Sequence, residues 1–281
     1  MAGIGEMRDP GLLTKPEEII ANNVFRCRFI RKPVVEDGLN FIRKEPRKDK
    51  TMKVIPSLSI IIPVFHESER INGIITQVFD RSFKGAPQVI VVDGDPQGST
   101  INAIEDEQVT KIISGKGRAR QMNSGASLAF GDVLLFLHAD TLLPKDALSM
   151  ITATMSVGRF VAGAFDLGID SSRRIFRITE KYVFLRTRLT RIPFGDQAIF
   201  IRREYFEKIG GYRDIPLMED VEIMGRIRKR GDRICIIPAK VLTSPRRWER
   251  EGIFFSTFRN WTLQMLYALG VPPERLQKYY Q

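Results

Sequence analysis

The run Val133–Asp140, V-L-L-F-L-H-A-D, constrains this chain more than any other stretch. Five large apolar residues stand together, and the chain turns polar within three positions. That pattern marks a short strand buried on both faces, which requires neighbouring strands and helices above and below it. His138 and Asp140 stand at its carboxyl end, where open α/β sheets bind their ligands. An Asp at that point also opens a turn for backbone reasons, here toward Pro144, so the remaining segments decide between the two readings.

Those segments alternate. L-S-I-I-I-P-V-F (58–65) reads as a buried strand broken near Pro63, and Glu67–Phe79 as a helix with Ile71, Ile74, Ile75 and Val78 on one face. Q-V-I-V-V-D (88–93) is a second strand, Thr100–Glu107 a short helix, V-T-K-I-I-S (109–114) a third strand, and Arg118–Phe130 a further helix. Helix Lys145–Val157 and strand V-A-G-A-F-D-L-G-I (161–169) follow. Ser171 and Ser172 offer an N-cap to a long helix reaching about Arg188. F-G-D-Q-A-I-F-I-R-R (194–203) reads as a strand, with a short helix after it that ends at Gly210-Gly211. Leu217–Arg230 is then a helix, R-I-C-I-I-P-A-K-V-L (233–242) a strand, and Gly252–Leu269 a helix rich in large apolar residues. Repeated strand–helix alternation predicts an α/β fold with a mostly parallel central sheet, helices on both faces and strand ends on one rim.

At 281 residues, with 43% hydrophobic and 27% charged content, the chain can bury a sizeable core. Residues 1–56 read as an N-terminal extension without sustained periodicity. Residues 57–250 read as one domain that holds the strand–helix alternation, and 251–281 as an amphipathic helical tail. No apolar run is long enough to span a bilayer, and no signal-peptide stretch is recognisable at the start. Cys27 and Cys235 form no metal-type pair and imply a reducing compartment, hence a cytoplasmic location. The formal net charge of +11 favours anionic partners. Nucleic acid is not expected among them, because interleaved aromatics or a recognised reading helix are missing. The tail, basic at its entry and aromatic beyond it, fits a peripheral contact with the inner membrane face, packing on its own domain, or a homodimer interface.

Five short motifs occur in order: I-I-I-P-V-F-H-E at 60–67, V-V-D-G-D at 91–95, F-L-H-A-D-T at 136–141, G-D-Q-A-I-F-I at 195–201 and M-E-D-V-E at 218–222. Each is weak alone, but together, in this order, the set resembles the family 2 glycosyltransferases of the GT-A fold, over roughly 58–250. The likeness is strongest to a small bacterial subgroup that carries G-R-A-R-Q-M-N, F-G-D-Q and R-R-W-E-R-E-G. It implies an inverting, metal-dependent enzyme that moves a sugar from a nucleotide-diphosphate donor to an acceptor hydroxyl, lipid-linked or on a small molecule.

The resemblance also implies residue roles. Pro63, Glu67 and Asp93 fall on the nucleotide side, with Asp93 meeting the base or ribose. Asp140 is the metal ligand, for Mn²⁺ or Mg²⁺. His138 stands where the family's D-x-D signature has its first acid, as a second ligand or a phosphate contact. Arg118, in a Gly-rich turn before a helix, is the preferred nucleotide contact. Arg247 and Trp248 resemble the R-W element of processive family members, which would close over the diphosphate with the Trp against sugar or acceptor. Asp220 takes the place of the base that deprotonates the acceptor. Glu219 and Asp196 belong to the acceptor side. The same Glu219-Asp220 pair would complement a helix dipole without any catalytic duty. A catalytically silent nucleotide-sugar-binding homologue and, less well matched, a nucleotidyltransferase are the competing readings.

Overall fold

The first regular strand is apolar at nearly every position, and every one of its residues is buried. In the computed structural model, residues 55–79 and 85–280 are described; nearly all of the segment 1–56 read as an extension, with Cys27 and the basic run ahead of Met52, lies outside them. Strand β1 (Leu58–Val64) pairs in parallel with β2 (Gln88–Asp93) and with β4 (Val133–Phe136), and β2 pairs in parallel with β3 (Thr110–Ile113). Alternation at a period of two gives each strand two buried faces. Ile60 and Ile62 of β1 and Val133 and Leu135 of β4 pack on one side of the sheet; Ile61, Leu134 and Phe136 pack on the other.

The eight-stranded sheet runs β3-β2-β1-β4-β7-β6-β8-β5. Its second half comprises β5 (Thr141–Leu142), β6 (Ala162–Ile169), β7 (Phe200–Arg202) and β8 (Ile234–Thr243). Four of the seven strand pairings are parallel, but β7 runs antiparallel to both β4 and β6, and β5 runs antiparallel to β8. The rim holding the carboxyl ends of β1, β2, β4, β6 and β8 therefore also holds the start of β7. That reversal brings residues 194–197 beside His138 and Asp140. The register of β6 on β8 slips between Phe165 and Asp166, where Pro238 of β8 would otherwise owe the ladder an N–H.

Helices α1 (Ile71–Phe79), α2 (Arg118–Ser127), α3 (Ala147–Ser156), α4 (Arg174–Thr190), α5 (Arg203–Lys208) and α6 (Glu219–Lys229) accompany the sheet. Helices α7 (Arg246–Glu251), α8 (Ile253–Ala268) and α9 (Pro273–Gln277) form the carboxyl-terminal segment. This segment packs on the rest: Ile253 joins Ile169 and Phe176, while Leu263 and Leu276 enclose Leu217. Helix α4 is anchored to the rim by its buried Glu180, which accepts from Ile169 N and from Lys240, each at 2.8 Å.

Several local expectations shift. Pro63 does not break β1; it is buried in register with Val92, its lost donor tolerated at the last pairing but one. Residues 67–70 form a turn before α1, and the segment after Thr100 is a single 3₁₀ turn, Ile101–Ala103. Helix α4 starts two residues beyond the predicted serine cap, although Ser171 Oγ still accepts from Arg173 N at 3.3 Å. The segment read as one strand from Phe194 begins instead with a 3₁₀ turn at Gly195–Gln197, ended by Ala198 at a positive φ of 50°.

Helix α2 lies so close to the sheet that a Cβ on Gly125 would stand 2.5 Å from Ile61 Cγ2 and 3.0 Å from Val92 Cγ2. Gly125→Val should therefore cost about 1–3 kcal/mol in urea unfolding, the usual cost of overpacking. Gly73→Ala, in α1 with no atom within 4 Å, should stabilise the chain by about 0.4–1 kcal/mol. Equal effects from the two changes would contradict this packing.

Candidate active site

Where β4 ends, the backbone turns through Thr141 N, which donates to His138 O at 3.1 Å, and leads into β5. Pairing of β5 with the end of β8 then places Ser244 N on Asp140 O at 3.0 Å. Two distant segments, 138–140 and 243–248, are thereby held side by side. The antiparallel start of β7 adds the 3₁₀ turn at Gly195–Gln197. Gln197 anchors that turn: its Nε2 donates to Phe165 O at 2.9 Å, and its Oε1 accepts from Phe194 N and Thr187 Oγ1.

The fourth contributor is the start of α6. Met218 adopts a left-handed backbone with φ of 66°, which reverses the chain so that Glu219 and Asp220 open the helix. Gly195 N donates to Asp220 Oδ2 at 2.6 Å, and Val221 N donates to Asp220 Oδ1 at 2.7 Å. Gly195 is required for this approach: a Cβ there would lie 2.8 Å from two atoms of the His138 ring and 3.4 Å from Asp220 Oδ2.

These segments enclose one cleft of about 910 Å³, part of it open to solvent, lined by Arg118, His138, Asp140, Asp196, Glu219, Asp220, Arg247 and Trp248. Eight of the eleven residues named from the sequence thus meet in one place. Glu67 stands apart from the cleft lining; burial, with Asp140 adding to it against Arg70, raises its pKa, and it pairs with Arg70 and Arg246 at 3.3 and 3.5 Å.

Two more of the expected residues lie outside this cleft. Pro63 is buried inside β1 and does not line the cleft. Asp93 is wholly buried and spent on its own loop: Oδ1 accepts from Asp95 N at 3.0 Å, Oδ2 from Thr100 N and Ile101 N at 2.8 and 3.2 Å. A carboxylate so occupied organises the loop after β2 and has no exposed oxygen for a base or ribose. Arg120, two residues beyond Arg118, does not line the cleft and pairs with Asp214 at 2.8 Å.

The charges in the cleft act on one another. Desolvation, with the carboxylate of Asp220 adding to it, raises the Glu219 pKa to about 7, opposed by Arg118. Desolvation raises Asp196 to about 6 against the pull of Arg186, and Asp196 Oδ1 is buried without a hydrogen-bond partner. Desolvation and Arg118 push the His138 pKa down to about 4 despite nearby Asp140, so the imidazole is neutral at pH 7. Desolvation opposes the charge on Arg118, but Glu219, Tyr280, Asp140 and Asp220 outweigh it and hold the guanidinium ionised. Raised acids, a neutral histidine and an arginine in one cleft form the kind of cluster that marks functional sites.

Sequence reasoning missed part of the wall. Ser256, Asn260 and Gln264 of α8 line the cleft, as does Tyr280, whose hydroxyl accepts from Arg247 beneath a guanidinium 4.2 Å from its ring centre. The α8 residues recur every four positions, a polar stripe that was visible but overshadowed by the aromatics around it. Tyr280 carries no local signal. Trp248 packs edge-on against Phe176 with ring centres 6.0 Å apart, so only part of it reaches the cleft.

Among the described residues, no three His, Cys, Asp or Glu side chains converge as a ready-made metal site. Asp140 and His138 offer an oxygen and a neutral nitrogen. The Asp140 oxygen fits either Mg²⁺ or Mn²⁺, with phosphate and water completing the shell, whereas the His138 nitrogen is better tolerated by Mn²⁺ than by Mg²⁺.

Comparison with known proteins agrees with this architecture. The chain is 27% identical over 251 residues to a probable glycosyltransferase, YdaM, of Bacillus subtilis, covering 80% of this chain and 57% of that one. It spans little more than half the length of that relative. Among solved structures it is similar to a mannosyltransferase from Pyrobaculum calidifontis in complex with GDP-Man and Mn²⁺, with a TM-score of 0.56 and 19% identity over 71% of this chain and 60% of that one. It is similar also to TarS of S. aureus in complex with UDP-GlcNAc, with a TM-score of 0.53 and 15% identity over 67% and 58%. These two likenesses show a shared GT-A fold. The model for glycosyl transferase family 2 matches residues 59–210, more than half of the sequence, and the chain belongs to that family.

Proposed function

We propose that the cleft binds a nucleotide-diphosphate sugar with a divalent cation and transfers the sugar, with inversion, to an acceptor hydroxyl. The observation that carries this reading is the placement of Asp220: two backbone N–H groups hold its carboxylate across one cleft from Arg118 and Asp140.

Inversion by direct displacement needs a base on the face of the sugar opposite the leaving group. Asp220 suits that duty. Two N–H groups fix its orientation, and a carboxylate has further lone pairs to accept a proton from the incoming hydroxyl. Leaving-group charge develops on the diphosphate, and Arg118 supplies a positive charge for it at the start of α2, where backbone N–H groups also favour anions. A cation held by Asp140, with His138 beside it, would neutralise the same charge. Arg247 and Trp248 close the far side over diphosphate and sugar. Glu219, near its midpoint at neutral pH, and Asp196 orient the acceptor. The Mn²⁺ in the Pyrobaculum complex, and the sugar nucleotides in both structural neighbours, support a donor and a cation of these classes.

Asp220→Asn keeps shape and removes basicity. It should lower kcat by about 10²–10⁴-fold, the usual contribution of a general base, while a nucleoside diphosphate with Mn²⁺ still binds in isothermal titration. Wild-type turnover in this variant would refute the role. Donor binding without turnover in the wild type, across a panel of acceptors, would leave a nucleotide-sugar-binding protein instead. NMR of the product's anomeric proton tests inversion directly; retained configuration would reject a single displacement.

The same variant probes the charge coupling. Because the Asp220 carboxylate helps raise the pKa of Glu219, its removal should bring the Glu219 midpoint below 7, toward the ordinary range. Carboxyl-carbon NMR titration of the metal-free protein measures it, and an unmoved midpoint would contradict the coupling.

A further inference from the structure

Helix α8 has two unlike sides. At 100° per residue, Ser256, Asn260 and Gln264 share the side that lines the cleft. Phe254, Phe258, Trp261 and Met265 share the opposite side, and the first two are 79% and 71% exposed. Helix α4 carries a matching outer stripe, Ile178, Tyr182, Leu185 and Leu189, in which Ile178 and Leu189 are 64% and 70% exposed. The stripes join where Tyr182 and Trp261 stack with ring centres 4.4 Å apart. The two exposed apolar stripes thus meet at one aromatic contact, and clustered apolar exposure of this kind marks an interaction surface.

Its charges have one sign. Arg173, Arg174 and Lys181 of the α4 segment are exposed beside the stripe, while the one acid of that helix, Glu180, is buried under Lys240 and Arg177. Helix α8 contains no acid, and its one basic residue, Arg259, is tied to Glu251. Two copies docked face to face would set these like charges against one another, whereas anionic headgroups would answer them. No described helix is long and apolar enough to cross a membrane, so this surface suits a helix pair lying in the interface plane.

We infer that the outer face of α4 and α8 docks on an anionic bilayer surface, so that the cleft on the inner side of α8 receives an acceptor hydroxyl carried by a membrane lipid. The second half of this inference rests on the glycosyl-transfer reading of the cleft; the first does not.

Co-sedimentation of the full chain with phosphatidylcholine vesicles, with and without phosphatidylglycerol, tests the docking. Binding should favour the anionic vesicles and weaken with salt. The double change Phe258→Ser and Met265→Ser should reduce it by about tenfold or more. Lys181→Glu and Arg174→Glu should each reduce it by about fivefold or more, and these surface changes keep the test open should the first pair fail to fold. Equal binding to neutral and anionic vesicles, no binding, or variants that bind as the wild type does would overturn the inference. So would light scattering that shows a dimer made monomeric by Phe258→Ser, since a second copy would then own the face.

Hydrolysis of a soluble donor, measured without vesicles, separates the two halves. It should be unchanged in all these variants. Vesicle binding in a chain without any donor hydrolysis would sustain docking and overturn the lipid-acceptor half. Hydrolysis without vesicle binding would overturn the docking and leave the reading of the cleft standing.

Discussion

One backbone N–H, that of Gly195, holds the site together. It donates to Asp220 Oδ2 at 2.6 Å while the bare Cα of the same residue makes room for the His138 ring. Three segments from distant parts of the chain, 138–140, 194–197 and 218–220, meet at that glycine. A charge-assisted bond to a half-buried carboxylate is among the stronger hydrogen bonds available to a protein, and it is directional. It aims Asp220 into the cleft instead of letting it turn outward, as an acid in a first helical turn otherwise does.

The antiparallel strand β7 makes that contact geometrically possible. In a wholly parallel sheet the turn before β7 would lie on the opposite edge, far from the end of β4. Reversing one central strand delivers a loop from its amino end to the rim where the other strands deliver theirs. The short β5–β8 pairing repeats the device on a smaller scale and brings Ser244, and after it Arg247 and Trp248, to Asp140. The carboxyl-terminal helices finish the wall. The tail is therefore part of the cleft as well as the bearer of an exposed apolar face.

Much of this was legible in the sequence, for physical reasons. Fully apolar strands such as 58–64 and 133–136 have little alternative to a doubly covered sheet. Residues placed just past strand ends, His138 and Asp140 above all, had to reach a common rim. The direction of β7 was not legible, because three residues of F-I-R carry no record of which neighbour they pair with. The surroundings of Asp93 were not legible, because a carboxylate at a strand end serves its own loop as readily as a ligand, and only the fold shows the three N–H groups around it. Tyr280 entered through tertiary packing, which local pattern does not encode; the polar stripe of α8 shows in the sequence, but the surface it faces does not.

The account stands on the claim that Asp140 and Arg118 share one donor site facing Asp220. Anomalous X-ray scattering from crystals of the full chain with Mn²⁺ and a nucleoside diphosphate tests it most directly. The account predicts a manganese peak at the Asp140 carboxylate, with the diphosphate between that ion and the Arg118 guanidinium and Asp220 facing the emptied sugar position. A manganese peak away from Asp140, or a nucleotide seated in some other cavity, would contradict it.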